Sequence, residues 1–384
     1  MTPCTNGGSS SVVLALNSGS SSLKFGLYYG SGNEVAPLLS GEASRIGTSS
    51  ATLHVVDASG VVLRDGPEKL PDQNAAVACI MEYLAQAGIP EPGIIGHRVV
   101  HGGPALRRHC VIDDKVLTQL QAATAFAPSH LPASLLAIQL AQHHFPRAMQ
   151  AACFDTTFHA TLPDVARVLP IDYALEAEGL QRYGFHGLSC ESIVHQLEAD
   201  LPPRVVIAHL GNGSSITAVR NGISIDTSMG LTPTGGVMMG CRSGDIDPGI
   251  LAYLMRVKGW TGQQLEDLID NRSGLKGISG VDSDMRRLHE TAASHPRSQL
   301  AIDLFQYSVC KQVAAMMSAL EGADLLVFTG GIGQHDASLR DAVCKHLAWA
   351  GVRNGAAAGT CAVRVLPSQE EAQIARHAWR LRSD

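Results

Sequence analysis

The sequence predicts an α/β fold in two related halves, and three observations carry that prediction. Short β-type runs alternate along the chain with helical stretches, the pattern of sheets covered by helices. A strand–Gly/Ser turn–strand unit occurs once in each half. Finally, 45% of the 384 residues are hydrophobic and 17% charged, enough apolar material to bury the cores of two or three domains without cross-links.

The elements follow in chain order. Residues 1–11, rich in Gly, Ser and Thr, read as a flexible tail, and residues 12–16 as a buried strand. Asp72 is placed to cap a helix over 76–87, which Gly88 and Pro90 end. Residues 94–100 read as strand, 132–143 as helix, 150–154 as strand, and 205–210 as a strand introduced by Pro202-Pro203. A long helix over 299–320 puts Leu300, Leu304, Val309, Val313, Met316, Met317 and Leu320 near one side. Residues 325–329 form a strand running into Gly330.

The repeat pairs Val12-Val13-Leu14-Ala15, leading to Gly19-Ser20-Ser21, with Val205-Val206-Ile207-Ala208, leading to Gly213-Ser214-Ser215. Each copy continues into a second β run, over 23–28 and 216–219, and the second turn reads as one residue longer. Two such hairpins facing each other would form a cleft lined with backbone N–H groups and hydroxyls, suited to phosphates.

Composition excludes several classes. The net charge is −6 with no dense Lys/Arg tract, which argues against nucleic acid or an anionic membrane as partner. No apolar run is long enough for a membrane span. The nine cysteines form no C-x-x-C pair and read as reduced cytoplasmic thiols. No P-loop, zinc spacing or G-x-S-x-G elbow occurs.

Several segments point instead to a phosphate-handling site. Asn17-Ser18-Gly19-Ser20-Ser21-Ser22-Leu23-Lys24 combines a glycine that lets the backbone approach an anion, hydroxyls for phosphate oxygens and a lysine charge; the ordinary alternative is a β-turn with a surface lysine. His209-Leu210-Gly211-Asn212-Gly213-Ser214-Ser215 is also a plain hairpin signal. Phe328-Thr329-Gly330-Gly331-Ile332-Gly333 places three glycines at a strand's carboxyl end, where open α/β sheets bind ligands. Arg98 and Arg242 stand in apolar, glycine-rich segments, where a guanidinium fork suits a carboxylate or phosphate. Asp155 follows a strand directly, and His186 sits in a turn between aromatics; both residue types also occur as structural caps or hydrogen-bonded turn residues.

Together, residues 17–24, 96–103, 154–159, 182–187, 209–215, 226–248, 277–285, 328–333 and 366–375 resemble the acetate kinase family, in one order across 12–376. The most specific string runs from Asp226-Thr227-Ser228-Met229-Gly230 to Arg242-Ser243-Gly244-Asp245-Ile246-Asp247-Pro248. The resemblance implies two duplicated ribonuclease-H-like α/β domains of the acetate and sugar kinase/Hsp70/actin superfamily with an interdomain cleft. It divides the chain into residues 12–155 plus 372–384 and residues 156–371. It also implies a homodimer, ATP/ADP and a small carboxylate as substrates, and Mg²⁺, or Mn²⁺ in its place.

Carried over by motif, Asn17 and Glu370 match magnesium-associated positions. Lys24, with Ser20 and Ser22, matches a nucleotide-phosphate position. Arg98 matches the binder of the substrate carboxylate, Asp155 the essential acidic residue, and His186 and Arg242 the transition-state stabilisers. His130 matches a further active-site histidine. Val100, Ser129, Phe185 and Pro233 match the substrate pocket. His209, Leu210, Gly211, Asn212 and Gly213, then Asp284, Met285 and Arg286, then Gly331, Ile332, Gly333, Gln334 and His335 match nucleotide-binding segments.

The implied reaction is direct, reversible in-line transfer of the γ-phosphoryl group of ATP to acetate. Arginines, a histidine and Mg²⁺ would surround the transferring group. Four departures from the family pattern stand out. Ser129 replaces a leucine of the methyl pocket, Leu188 and Cys190 replace Thr and His, Thr234-Gly235-Gly236 replaces Leu-Glu-Gly, and Gln334-His335 replaces Glu-Asn. The first leaves a propionate or other short-chain acyl kinase as the alternative. A nucleotide-gated binding protein of the Hsp70/actin type is the reading from another class.

Overall fold

The computed structural model describes residues 11–19, 21–353 and 360–383, so the predicted tail up to residue 10 and the predicted ligand Ser20 lie outside the described residues. The chain divides into two compact units, Met1–Thr157 with Gln369–Asp384, and Phe158–Ser368.

The first unit is built on β1 (Val12–Ser18), β2 (Ser22–Ser31), β3 (Glu34–Ser44), β4 (Thr52–Asp57), β5 (Val62–Pro67), β6 (Ile94–Val99), β7 (Cys110–Val111) and β8 (Met149–Phe154), in sheet order β5-β4-β3-β2-β1-β6-β8-β7. β1 pairs antiparallel with β2 and parallel with β6, and all seven of its residues are buried, which is why it reads as an unbroken apolar run until Asn17 and Ser18. The helix Gln73–Gln86 starts where Asp72 accepts from the Ala75 N–H at 2.8 Å. Its Ala76, Val77, Ile80, Met81 and Leu84 enter the core with Leu14, Leu16, Phe25 and Leu53.

The last helix, Glu370–Arg380, closes this unit by burying Ile374, Ala375, Ala378 and Trp379 on the sheet. Its approach requires glycine at 96, where a Cβ would lie 2.6 Å from Ile374 Cγ2. The helix therefore carries Glu370 and Glu371 to the end of β1.

The second unit holds β9 (Arg204–Leu210), β10 (Ser214–Arg220), β11 (Ile223–Thr227), β12 (Leu325–Thr329), β13 (Val352–Arg353) and β14 (Cys361–Val365), in order β11-β10-β9-β12-β14-β13. The run β11-β10-β9-β12-β14 repeats the pairing of β3-β2-β1-β6-β8, two antiparallel neighbours followed by two parallel ones. The repeat in the sequence is thus one of whole sheets, the duplicated ribonuclease-H-like plan.

Two expectations need correction. Ser18 pairs with Leu23 and Leu210 with Ser214, so the first turn, not the second, is the longer. The reason is that Ser214 and Ser215 belong to β10, and the second turn is Gly211-Asn212-Gly213. The long helix runs over Pro296–Ala319 and buries Ala301, Ile302, Phe305, Val309, Cys310, Val313, Met316 and Met317. Leu300 and Leu304, expected on that side, are 40% and 38% exposed because they fall on the opposite stripe of the helix. Among the described residues no helix is long and apolar enough to cross a membrane.

Candidate active site

In the first unit four of the predicted site residues form one network at the strand ends. Arg98, on β6, donates from Nε to Asp155 Oδ1 and Oδ2 at 3.0 and 3.1 Å and from Nη2 to Oδ2 at 2.6 Å. Its Nη1 donates to Asn17 Oδ1 at 3.0 Å. Asn17 then donates from Nδ2 to Glu370 Oε2 at 3.0 Å and to Glu371 Oε1 at 2.8 Å. Asp155 is 1% exposed, directly after β8, and a buried carboxylate there is held by the guanidinium fork.

The electrostatics follow from this packing. Burial works against the Arg98 charge, but the Asp155 and Glu370 carboxylates outweigh it and hold the guanidinium above its ordinary value. Burial, and next the charge of Glu370, raise the proton affinity of Glu371. Two carboxylates meeting at one amide form an oxygen-only donor set with excess negative charge, which fits a hard divalent cation such as Mg²⁺. Glu371 was not anticipated; its one signal in the sequence is that it follows Glu370 at a helix start.

Lys24 is exposed on β2 directly opposite Asn17. Ser22 is half-buried, its carbonyl accepting from the Gly19 N–H at 2.9 Å. Val100 is buried just past β6, and Ser129 is exposed ahead of His130, the residue that precedes the helix Leu131–His144.

In the second unit His186 precedes the helix Gly187–Leu197 with φ 57° and ψ 26°. This left-handed conformation costs a residue with a Cβ roughly 1–2 kcal/mol. Its Nδ1 lies 3.0 Å from Ser215 Oγ, and its ring stacks on His209 with centroids 4.2 Å apart. His209 is in turn 2.8 Å from Ser189 Oγ. A Cβ added at Gly213 would stand 3.2 Å from His186 Nε2 and 3.5 Å from Arg242 Nη1, so an imidazole and a guanidinium face one glycine. Arg242 donates from Nη1 to the carbonyl of the buried Pro233 at 3.2 Å. Phe185 is buried beneath the same turn.

The same unit has a cavity of about 840 Å³ lined by Gly211, Asn212, Asp284, Met285, Arg286, Gly331, Ile332 and His335, all anticipated, and by Ser283, His289 and Asp336, which were not. That volume suits a nucleotide-sized ligand. Asp336 caps the helix Ala337–His346, accepting from the Leu339 N–H at 2.9 Å, and lies 2.8 Å from His289 Nε2. Its signal in the sequence is the cap spacing before Leu339. Asp284 likewise caps Met285–Thr291 and pairs with Arg286.

Leu210 and Gly333 are buried and do not line the cavity, and His209 belongs to the His186 stack. Gln334 engages through its carbonyl, which accepts from Arg340 Nη1 at 2.7 Å. Of the departures, Cys190 and Leu188 are fully buried in the helix after His186, and Thr234 Oγ1 bonds Asp270.

The model of the Acetokinase family matches residues 12–375 of this chain. The chain is 38% identical to the acetate kinase of Heliobacterium modesticaldum over 96% of its own length and 99% of the other. Among solved structures it is similar to a propionate kinase from Francisella tularensis (TM-score 0.88, 35% identity, 97% of this chain and 100% of that one). It is also similar to the acetate kinase of Porphyromonas gingivalis (TM-score 0.83, 32% identity, with the same coverage).

Proposed function

The chain belongs to the acetokinase family, and on that premise we propose that it is an acetate kinase, a phosphotransferase with a carboxyl group as acceptor. ATP and acetate give ADP and acetyl phosphate, reversibly. An acetate oxygen attacks the γ-phosphorus in line, the bond to the β–γ bridging oxygen breaks, and ADP leaves. The acceptor is an anion at neutral pH, so no base is needed to activate it.

The observation that supports this reading most is the Arg98 network. Three of the five N–H groups of Arg98 are used by Asp155 and Asn17, which leaves two to receive a small carboxylate in a fixed orientation. Asp155 fixes that orientation and compensates the charge. His186 and Arg242 supply donors for the equatorial oxygens of the transferring group, where preorganised charge is worth most. The 840 Å³ cavity takes the nucleotide. Glu370 and Glu371, beside Asn17, would hold Mg²⁺, which when bound offsets phosphate charge. The reading extends to the two compact units as the family's two domains, to a homodimer, and to the cytoplasm.

A second reading, a propionate kinase, has one specific observation in its favour, the likeness to the Francisella tularensis propionate kinase. ADP formation with Mg-ATP and acetate, propionate, butyrate or no acid, with the acyl phosphate trapped by hydroxylamine, decides. Acetate is expected to give the most hydroxamate; more with propionate makes the second reading correct. No hydroxamate with any acid removes both.

A further inference from the structure

His159 takes no part in the reaction as proposed, yet it is fully buried beneath the turn that carries His186. Its Nε2 lies 2.9 Å from the Phe185 carbonyl and its Nδ1 2.8 Å from Ser224 Oγ. A carbonyl only accepts, so Nε2 carries the proton and donates it; Nδ1 then accepts from the Ser224 hydroxyl. The tautomer is fixed by its two partners, and burial holds the ring neutral, its pKa down at about 4.

The ring also supports the turn sterically. Gly184 has φ 71°, and a Cβ there would lie 2.7 Å from His159 Cδ2 and 2.5 Å from Thr227 Cγ2, so the backbone lies directly on the imidazole. The carbonyl that His159 holds belongs to the peptide joining Phe185 to His186. Fixing that peptide plane constrains ψ of Phe185 and φ of His186 together, and His186 is in the left-handed region. From there its imidazole reaches Ser215 and stacks on His209.

We propose that His159 is a positioning residue for His186: donation to the Phe185 carbonyl and packing on Gly184 hold the left-handed turn that aims the His186 imidazole. The inference rests on the acyl kinase reading for its catalytic consequence, though not for its geometry.

Two substitutions separate the donor from mere occupancy. His159→Gln keeps an N–H near the position of Nε2, whereas His159→Asn keeps a polar atom only near Nδ1. The wild type is assayed first by the hydroxamate method, and the titration of the His186 ring Cε1–H is followed by NMR in all three proteins. His159→Asn should lower kcat between about 10-fold and 100-fold, as misplacement of a catalytic group does. Its KM for ATP should stay within about twofold, and the His186 resonance should shift. His159→Gln should recover most of kcat and the native His186 resonance. If His159→Asn does not fold, His159→Met, which fills the place of the ring without any N–H, should give the same kcat loss. Equal kcat and equal His186 resonances in the Gln and Asn variants overturn the proposal, as does a kcat loss that merely tracks loss of Tm. A wild type without acyl kinase activity removes the proposed function, and the NMR comparison then judges the positioning by itself.

Discussion

Asn17 Nδ2 lies 2.8 Å from Glu371 Oε1 and 3.0 Å from Glu370 Oε2, so the end of the first strand is tied to the start of the last helix. One amide serves both as donor to two carboxylates and, through Oδ1, as acceptor for Arg98. Asn17→Asp puts a third carboxylate against this pair. The variant is expected to lose about 1–3 kcal/mol by urea unfolding without metal, and to need less Mg²⁺ for half-maximal activity, because a third carboxylate adds the negative charge that a divalent cation offsets. A variant with wild-type stability and Mg²⁺ dependence would show that the amide is not what holds the pair.

Removing the guanidinium should cost more than removing its charge partner. Arg98→Ala strands the buried Asp155 carboxylate and is expected to lose about 3–5 kcal/mol. Adding Asp155→Asn to it should restore part of that loss, a non-additivity that a double-mutant cycle reads directly. Strict additivity would contradict the coupling inferred from the bonds.

Acid should weaken the fold through two buried imidazoles. Burial holds His97 and His159 at about 4, opposed in part by the bonds to Gln150 and to the Phe185 carbonyl respectively. Unfolded imidazoles protonate at about 6.5. Their folded pKa is depressed, so each contribution is present above pH 6.5 and is lost as pH falls toward 4, up to ~3 kcal/mol per group. The urea midpoint of His97→Gln should therefore fall less between about pH 7 and pH 4.5 than that of the wild type. Parallel pH profiles would assign the acid sensitivity to carboxylates instead.

Two adjacent glycines should respond oppositely. Gly330 has φ 77°, and a Cβ there would lie 2.6 Å from the Leu210 carbonyl oxygen, so Gly330→Ala is expected to lose more than about 1 kcal/mol. Gly331 faces open space in the cavity wall. Gly331→Ala should keep the wild-type Tm while raising KM for ATP. Equal Tm losses at both positions would mean the strand-to-helix turn tolerates no side chain anywhere.

Much of the candidate site was legible because its residues interrupt patterns. Asn17 and Ser18 end an otherwise apolar strand, Asp155 follows a buried one, and Arg98 stands among glycines and apolar residues. The exceptions share one cause. Glu371, Ser283, His289 and Asp336 look locally like ordinary helix-start or surface residues, and only what packs opposite them makes them part of a site. The exposure of Leu300 and Leu304 was hidden for a related reason, since a long helix with apolar residues on more than one stripe does not reveal which stripe meets the sheet.

By itself the sequence determined the α/β class, the central strands, the capped helix after Asp72 and the duplication, because these depend on period, burial and caps within a few residues. Tertiary structure decided which turn was longer, which helix stripe was buried, and that Asn17 meets Glu371 across 354 positions. It also decided that His159 meets the Phe185 carbonyl, one residue before His186. Such contacts are set by how whole elements pack and by what a glycine leaves room for, and a local pattern carries no record of the distant surface that will fill that room.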